Sequence, residues 1–307
     1  MHNISRRSFV KNSGGILALA ALGFPGPVYK KSPLLSFSTL GCPDWTMDQI
    51  IAFARSNNYK GIEIRGILRQ VDLSQSINFN SDAAIKDTRK KIRDNGLKIV
   101  GLGSSAAMHH PPGADRDKAF DEAKRYINIA SKVDCPYVRV FPDKLPKDRD
   151  KTETLNTIAE GIRQLADFAS GSGVSVLMET HGDVVHAADL ETVMNIAGSH
   201  KNAGLVWDVS NMWSVTGESP TLVHGKLKKW IRHTHFKDLK KVDGKDQYTL
   251  FTEGEVPVFE AVDLLLKDGY KGYYSFEWEK LWHPEIADPE VAFPAFSKKM
   301  MEHFANK

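Results

Sequence analysis

The sequence predicts a single (β/α)8 barrel, a closed parallel sheet of eight strands in which a helix follows each strand. From residue 35 onward, short apolar runs alternate with longer amphipathic stretches, which is typical of repeated βα units. The 307-residue chain is long enough for one such barrel, which needs about 250 residues. No Gly-x-Gly-x-x-Gly follows the first run, so an open doubly wound sheet is the less favoured alternative.

The predicted strands number eight, and no unit of the repeat is missing or doubled. In chain order they are Leu35 to Leu40, Gly61 to Arg65, Lys98 to Gly103, Tyr137 to Phe141, Ser175 to Thr180, Gly204 to Asp208, Ile231 to Phe236 and Gly272 to Glu277.

Helix-start signals occur between these runs. Thr46 and Gln49 have the spacing of a capping box, and Ser81 can cap the helix after the second strand. Pro257 and Pro289 open the last two helices, where a proline at the first position costs no hydrogen bond. In a closed barrel of this kind, all functional loops emerge at the C-terminal ends of the strands.

The first 32 residues form a segment of different character. Ser5-Arg6-Arg7-Ser8-Phe9-Val10-Lys11 precedes a mildly apolar stretch from Gly14 to Phe24, and together they look like a twin-arginine export signal. The apolar stretch is shorter than the roughly 20 residues of a membrane-spanning helix. We therefore expect a signal peptide and linker over residues 1–32, a barrel domain over residues 33–307 and a periplasmic location. A basic tail is the alternative interpretation, and no Cys follows to carry a lipid anchor.

Composition excludes several classes of protein. The chain is 41% hydrophobic and 26% charged, as in a soluble globular protein. Loss of Arg6, Arg7 and Lys11 with the signal would leave 38 basic residues against 38 acidic ones. A formally neutral mature protein gives no support for a nucleic-acid partner.

The only two cysteines are Cys42, after the first strand, and Cys135, before the fourth. These positions lie at opposite ends of a barrel, so we predict no disulfide between them.

Four acid or imidazole side chains stand near the C-terminal ends of separate apolar runs: Glu179, Asp208, His235 and Glu277. A buried carboxylate must be paired, hydrogen-bonded or bound to a metal, because desolvating an isolated charge is very costly. A divalent cation would satisfy all four at once.

The motifs that surround these four residues resemble those of the xylose-isomerase-like TIM barrels. They are His233-Thr-His-Phe-Lys-Asp238, Glu179 at a strand end, Asp208-Val-Ser-Asn211, the loop Glu253-Gly-Glu-Val-Pro257 and Tyr273-Tyr-Ser-Phe-Glu277. That superfamily holds sugar phosphate isomerases and epimerases, inositol-catabolism isomerases and, more distantly, endonuclease IV. The resemblance covers nearly all of the chain after residue 33.

The resemblance implies that Glu179, Asp208, His235 and Glu277 bind one divalent ion, Mn²⁺, Mg²⁺, Co²⁺ or Zn²⁺. Strand alternation places His233 on the same face as His235, one layer deeper, so His233 is an alternative ligand. Glu279 is an alternative to Glu277 in the same way.

Other polar residues near strand ends are candidates for substrate contact: Glu63, Arg65, Arg139, His181, Asn211 and Lys237. Arg139 has two open interpretations, an internal ion-pair partner or a hydrogen-bonding fork for substrate oxygens. Asn211 stands where related epimerases often carry a His. Because an amide cannot shuttle a proton, this difference weakens the case for ketose 3-epimerase chemistry and leaves the identity of the substrate undecided.

The aromatic side chains Trp45, Trp213, Trp278 and Trp282 lie in or next to the predicted C-terminal loops. They could stack on a sugar ring or simply pack against the core.

The pattern therefore predicts an isomerase or epimerase that transfers a proton next to a carbonyl through an enediolate, with Glu179 and Glu277 as catalytic groups. The alternatives are a lyase or hydratase that acts on keto-sugars or 3-keto-glycosides, and a non-catalytic carbohydrate-binding barrel. The expected partner is a small sugar or keto-sugar, with no nucleic acid and no stable membrane anchor; a homo-oligomer is possible. Asn211 in place of a His also counts against a trinuclear zinc nuclease, which needs additional imidazoles. His109 and His110 are adjacent in a loop, and a neutral net charge attracts phosphate poorly.

Overall fold

The computed structural model describes residues 32–307. The predicted twin-arginine signal lies outside these residues, apart from Ser32 at the end of its linker. The described chain contains ten strands: β1 (Leu35–Ser38), β2 (Gly61–Ile64), β3 (Lys98–Ala107), β4 (Tyr137–Phe141), β5 (Ser175–Glu179), β6 (Ala203–Asp208), β7 (Ile231–Phe236), β8 (Asp238–Val242), β9 (Lys245–Thr249) and β10 (Tyr274–Phe276).

Nine α-helices connect and flank these strands in the described range. They are α1 (Met47–Ser56), α2 (Asp82–Asp94), α3 (Ala114–Lys132), α4 (Lys151–Phe168), α5 (Ala187–Ala197), α6 (Val209–Thr216), α7 (Pro220–Leu227), α8 (Val258–Lys267) and α9 (Pro289–Ala305). None of them combines the length and apolar content that crossing a bilayer would require.

Eight of the strands close into a parallel barrel, which confirms the predicted fold class. Their order around the barrel is β1, β10, β7, β6, β5, β4, β3, β2. The closing pair joins Ser36 of β1 to Ser275 of β10 in register. The predicted helix starts also hold: Thr46 and Gln49 form the capping box of α1, and the Ser81 side chain accepts a hydrogen bond from the first turn of α2.

Strand ends differ from the sequence prediction in a few places. The first strand ends at Ser38, because that side chain caps a 3-10 turn over Thr39–Gly41. The last barrel strand is limited to Tyr274–Phe276, although the apolar run is longer. The antiparallel hairpin β8–β9 was not predicted, since it follows β7 directly and carries mostly polar residues.

The apolar core lies between the sheet and the ring of helices. Outward-facing residues of the strands, such as Phe37, Met178 and Phe276, join this layer. The barrel interior is polar by contrast: Glu63, His233 and Ser275 all point into it, and both His233 and Ser275 bond the Glu63 carboxylate. The interior of such a barrel is usually filled by apolar side chains, whereas here ionisable groups lie where water is excluded.

An aromatic cluster packs on the seam of the barrel, the place where β1 and β10 close the sheet. The ring of Phe293, on α9, lies 4.5 Å from the ring of Phe37 and 5.9 Å from that of Phe276. The Tyr59 hydroxyl donates a 2.7 Å hydrogen bond to the Phe293 carbonyl. The last helix is thereby fixed against the first and last strands of the barrel.

The two cysteines, Cys42 and Cys135, are both buried free thiols. Burial raises the pKa of the Cys135 thiol to about 12, so this side chain behaves as a small apolar group.

Phe293→Ala should destabilise the fold strongly, because it opens a cavity at this seam; large-to-small core changes of this kind cost about 3–5 kcal/mol. Val291→Ala, on the same helix at a position that is 52% exposed, should change the free energy of unfolding by less than about 0.5 kcal/mol. Urea denaturation of the two variants beside the parent protein measures both values. Equal stability of the two variants would contradict the proposed role of the seam.

Candidate metal and active site

Four ionisable side chains converge at the C-terminal mouth of the barrel. Glu179 ends β5, Asp208 ends β6, His235 lies on β7 and Glu277 follows β10 directly. Each is at least 96% buried, and one ligand atom from each lies within 4.8 Å of the others. The structure thus brings together the four residues that the sequence pattern suggested as metal ligands.

The centre of the cluster is the Nδ1 atom of His235. Glu179 Oε1 lies 3.1 Å from this nitrogen, and Glu277 Oε1 lies 3.3 Å from it. Since a ring nitrogen carries at most one proton, it cannot satisfy two carboxylates fully. Three carboxylates and one imidazole are oxygen and nitrogen donors that suit Mn²⁺, Mg²⁺, Co²⁺ or Zn²⁺, so the donor set fits a divalent ion at this position.

Two buried cations hold the outer oxygens of the cluster. Lys237 Nζ lies 2.5 Å from Asp208 Oδ2 and 3.0 Å from Glu277 Oε2. Arg139 Nε lies 3.0 Å from Glu179 Oε2. These pairs fix the carboxylates in place and leave their remaining oxygens, Glu179 Oε1 and Glu277 Oε1, directed at His235.

The pKa shifts follow from burial and from these pairs. Burial raises the pKa of Asp208 to about 6, in opposition to the neighbouring Lys237 ammonium. Burial would also raise the pKa of Glu277, but His235 and Lys237 together lower it well below its usual value. For His235, burial alone lowers the pKa, yet the carboxylates of Glu277, Glu63 and Glu179 raise it well above the usual value. A bound cation has to displace the proton from His235 Nδ1.

The charges inside the mouth do not balance without a further positive charge. The carboxylates are those of Glu63, Glu179, Asp208, Glu277 and Glu279, and the permanent cations are Arg65, Arg139 and Lys237. Once His235 has lost its proton to an incoming ion, five negative charges against three positive ones leave an excess of two, which equals the charge of one divalent ion. The charge balance therefore fits the same ion as the donor set.

A cavity of about 90 Å³ opens onto the cluster. It is lined by Leu40, Arg65, Arg139, Phe141, Glu179, His181, Glu277, Glu279 and Trp282. Three of the six suggested substrate-contacting residues, Arg65, Arg139 and His181, therefore lie at this cavity. A larger groove of about 580 Å³ between α3 and α4 is lined by none of these residues.

The other three suggested substrate contacts lie elsewhere around the site. Glu63 is buried below the cluster and bonds His233 and His235. Lys237 is fully buried between acidic side chains. Asn211 is half-buried in the first turn of α6, where its backbone N–H donates a 2.8 Å hydrogen bond to Asp208 Oδ1.

The alternatives left open by the sequence take distinct places. His233 lies below the cluster and pairs with Glu63, not with the three clustered carboxylates. Glu279 lies at the rim, where its Oε1 is 2.9 Å from Lys237 Nζ. Arg139 is an internal ion-pair partner of Glu179, and it also lines the cavity, so its role as a hydrogen-bonding fork for substrate oxygens stays a prediction.

The tryptophans separate into core and cavity residues. Trp278 is 1% exposed and stacks on Phe276, and Trp45 and Trp213 pack against the core. Trp282 is 51% exposed and lines the cavity.

Two glycines of β3 shape the interior, and sequence reasoning missed them. A Cβ atom at Gly103 would lie 2.8 Å from Arg65 Cδ and 2.9 Å from Arg139 Nη2, and one at Gly101 would lie 3.3 Å from Glu63 Cγ. The signal was present as glycines two residues apart in a predicted strand, a pattern that indicates close approach of another group.

Comparisons with known proteins agree with this fold. The chain is 21% identical over 196 residues to a 3-dehydroshikimate dehydratase of Bacillus anthracis, which covers 63% of this chain and 67% of that protein. It is 24% identical over 243 residues to an inosose dehydratase of Lacticaseibacillus casei, with 68% and 78% covered.

Solved structures of the same fold include metal-bound proteins and an epimerase. A zinc-bound protein described as IOLI superposes with a TM-score of 0.73 at 15% identity, over 89% of this chain and 98% of that one. A magnesium complex of a barrel protein from Mycobacterium smegmatis has a TM-score of 0.68 at 16% identity, over 90% and 97%. An L-ribulose 3-epimerase has a TM-score of 0.69 at 16% identity, over 89% and 96%.

The family described as Xylose isomerase-like TIM barrel matches residues 51–294, a range that contains the four candidate metal ligands. The chain therefore belongs to the xylose isomerase-like TIM barrel family.

Proposed function

We propose that the protein is a divalent-metal-dependent isomerase or epimerase that transfers a proton next to the carbonyl of a sugar or related polyol ketone. The observation that carries this proposal is the convergence of Glu179 Oε1, Glu277 Oε1 and His235 Nδ1, with Asp208, beside a cavity at the barrel mouth. Relatives in the same family are dehydratases and epimerases, so enolisation chemistry is consistent with the comparisons.

The metal would be held by Glu179, Asp208, His235 and Glu277. When bound, a dication supplies Lewis-acid polarisation of the carbonyl and lowers the cost of the negative charge that develops on oxygen. The chain's own groups then move the proton and hold the substrate.

Glu179 and Glu277 are the candidates for proton removal and return. They come from different strands, β5 and the end of β10, and both line the cavity. One carboxylate takes the α-proton, which leaves an enediolate, and the other returns a proton. Return to the neighbouring carbon isomerises the sugar, and return to the opposite face of the same carbon epimerises it.

The cavity wall provides groups for orientation. Arg65 and Arg139 present guanidinium groups that hydrogen-bond to hydroxyl or carbonyl oxygens. The exposed ring of Trp282 offers an apolar face for a sugar ring.

A second candidate function is a dehydratase, which the position of His181 favours. His181 stands two residues after Glu179, lines the same cavity, and its buried Nδ1 has no hydrogen-bond partner among the described residues. After the α-proton leaves to a carboxylate, the C–O bond at the β-carbon breaks and the departing hydroxyl takes a proton from the imidazole, so that water and an unsaturated ketone form. The curated relatives quoted above are both dehydratases.

We also propose that residues 1–32 direct twin-arginine export to the periplasm. The support is the Arg6-Arg7 pair before the apolar stretch Gly14 to Phe24. An exported enzyme meets glycosides and free keto-sugars more readily than sugar phosphates.

Glu179→Gln and Glu277→Gln should each lower proton transfer by about 10²–10⁴-fold, because a positioned base contributes that much. The measurement is deuterium incorporation from heavy water into keto-sugars and 3-keto-glycosides by the metal-loaded enzyme, with circular dichroism as a check of the fold. Glu302→Gln, at an exposed position on α9, is the matched control and should retain parent activity. Full activity of both site variants would refute the assigned roles.

Removal of metal with a chelator should abolish deuterium exchange, and added Mn²⁺, Co²⁺, Zn²⁺ or Mg²⁺ should restore it. At 100 times the dissociation constant, the added ion should stabilise the protein by about 2.7 kcal/mol, read as a higher melting temperature. Asp208→Asn should lose most of this stabilisation, whereas Asp148→Asn, at an exposed loop position, should keep it. If none of the four ions stabilises the parent protein, the proposed metal site is wrong.

His181→Asn distinguishes the two candidate functions. In a dehydratase it should slow release of water by about 10²–10⁴-fold, since the imidazole is the proposed proton donor, while deuterium exchange at the α-carbon continues. Mass spectrometry of the products gives the answer directly: product of unchanged mass supports isomerisation or epimerisation, and loss of water supports elimination.

A further inference from the structure

We propose that Glu63 is a positioning residue that orients His235, so that the imidazole binds the ion through Nδ1. This inference rests on the proposed metal site and assigns Glu63 a role that differs from substrate contact. Glu63 is on β2, across the barrel interior from β7, and its side chain is 2% exposed.

The orientation of the His235 ring carries the argument. Its Nε2 atom lies 2.9 Å from Glu63 Oε1 and 3.0 Å from Glu63 Oε2. Its Nδ1 atom faces the other way, toward Glu179 and Glu277. With the Nε2–H group donating to Glu63, the lone pair of Nδ1 is free to face the carboxylate oxygens that would share the ion.

Glu63 is itself held from two further sides. His233 Nε2 lies 2.8 Å from Glu63 Oε2, and the Ser275 hydroxyl donates a 3.2 Å hydrogen bond to the same oxygen. These contacts fix the position of the Glu63 carboxylate, and the carboxylate in turn fixes the orientation of the His235 ring. A ligand oriented in this way loses less freedom when the ion binds.

The neighbouring strand leaves room for this carboxylate and for little else. A Cβ atom at Gly101 would lie 3.3 Å from Glu63 Cγ. Glu63 is also absent from the residues that line the cavity. Its surroundings are side chains of the barrel interior, which is the expected environment of a group that acts through His235 and not on the substrate.

The test compares three variants of the full chain. Glu63→Leu removes the acceptor, Glu63→Gln keeps one acceptor oxygen with nearly the same shape, and Ser275→Ala removes only the weaker contact to Glu63. Each protein is stripped with a chelator and titrated with Co²⁺ in competition with a metal-binding dye. Proton spectra of the Co²⁺-loaded proteins are then recorded in ordinary and heavy water, because the Nε2–H proton of a Co²⁺-bound imidazole is strongly shifted and its rate of solvent exchange is measurable.

We expect Glu63→Leu to weaken Co²⁺ binding by about 10–100-fold, the usual effect of losing an outer partner of a metal-binding histidine. The shifted Nε2–H signal should exchange slowly in the parent and rapidly in the variant. Glu63→Gln should show a smaller loss of affinity, and Ser275→Ala should bind Co²⁺ within about twofold of the parent.

Parent-like Co²⁺ affinity in Glu63→Leu, or in Glu63→Gln if the leucine variant does not fold, together with a slowly exchanging Nε2–H signal would overturn this role of Glu63. Such a result leaves the metal site itself intact, since Asp208→Asn tests that site separately. Failure of the parent protein to bind any of Mn²⁺, Co²⁺, Zn²⁺ and Mg²⁺ would instead defeat the proposed function and this inference together.

Discussion

The structure depends on how the barrel accommodates several carboxylates without water. Glu63, Glu179, Asp208 and Glu277 are all at least 96% buried, and each would be strongly unfavourable alone. Lys237 and Arg139 compensate part of this charge through contacts of 2.5 to 3.0 Å. The remaining negative charge surrounds His235, and a bound dication is the group that would neutralise it.

This constraint explains features of the barrel that packing alone would not require. The apolar layer lies outside the sheet, so the interior is available for polar groups. Gly101 and Gly103 leave space there for Glu63, Arg65 and Arg139. The hairpin β8–β9 begins with Asp238, whose carboxylate accepts hydrogen bonds from the backbone N–H groups of Thr252 and Gly254 and so orders the loop that follows β9. Polar side chains replace buried apolar ones at only a few interior positions, and the aromatic cluster around Phe293 stabilises the seam of the barrel.

The sequence predicted the barrel and the cluster well because both depend on periodic patterns. Eight apolar runs separated by helices specify the strand count, and the alternation of side chains places Glu179, Asp208, His235 and Glu277 at one end of the sheet. The contact of Glu63 with His235 could not be predicted, because it joins residues 172 positions apart across the barrel. The same holds for Lys237, which directly follows the predicted seventh strand. Only the register of β6, β7 and β10 shows that its ammonium contacts acids at the ends of two other strands. The hairpin was missed because its strands pair with each other outside the barrel and carry no apolar alternation.

The two candidate functions share their first step, and the residues of the site explain why. Under the proposed function, the four ligand groups, two of which also move protons, would serve any reaction that begins with loss of a proton next to a carbonyl. What separates an epimerase from a dehydratase is the next event, proton return or loss of a hydroxyl group, and that event takes place at the cavity wall. His181, Arg65 and Trp282 form that wall and contact none of the inner acids of the cluster through a hydrogen bond in the described structure. One metal-binding interior can therefore support several reactions within a family, since the outer residues can change while the charge balance that keeps the interior folded stays the same.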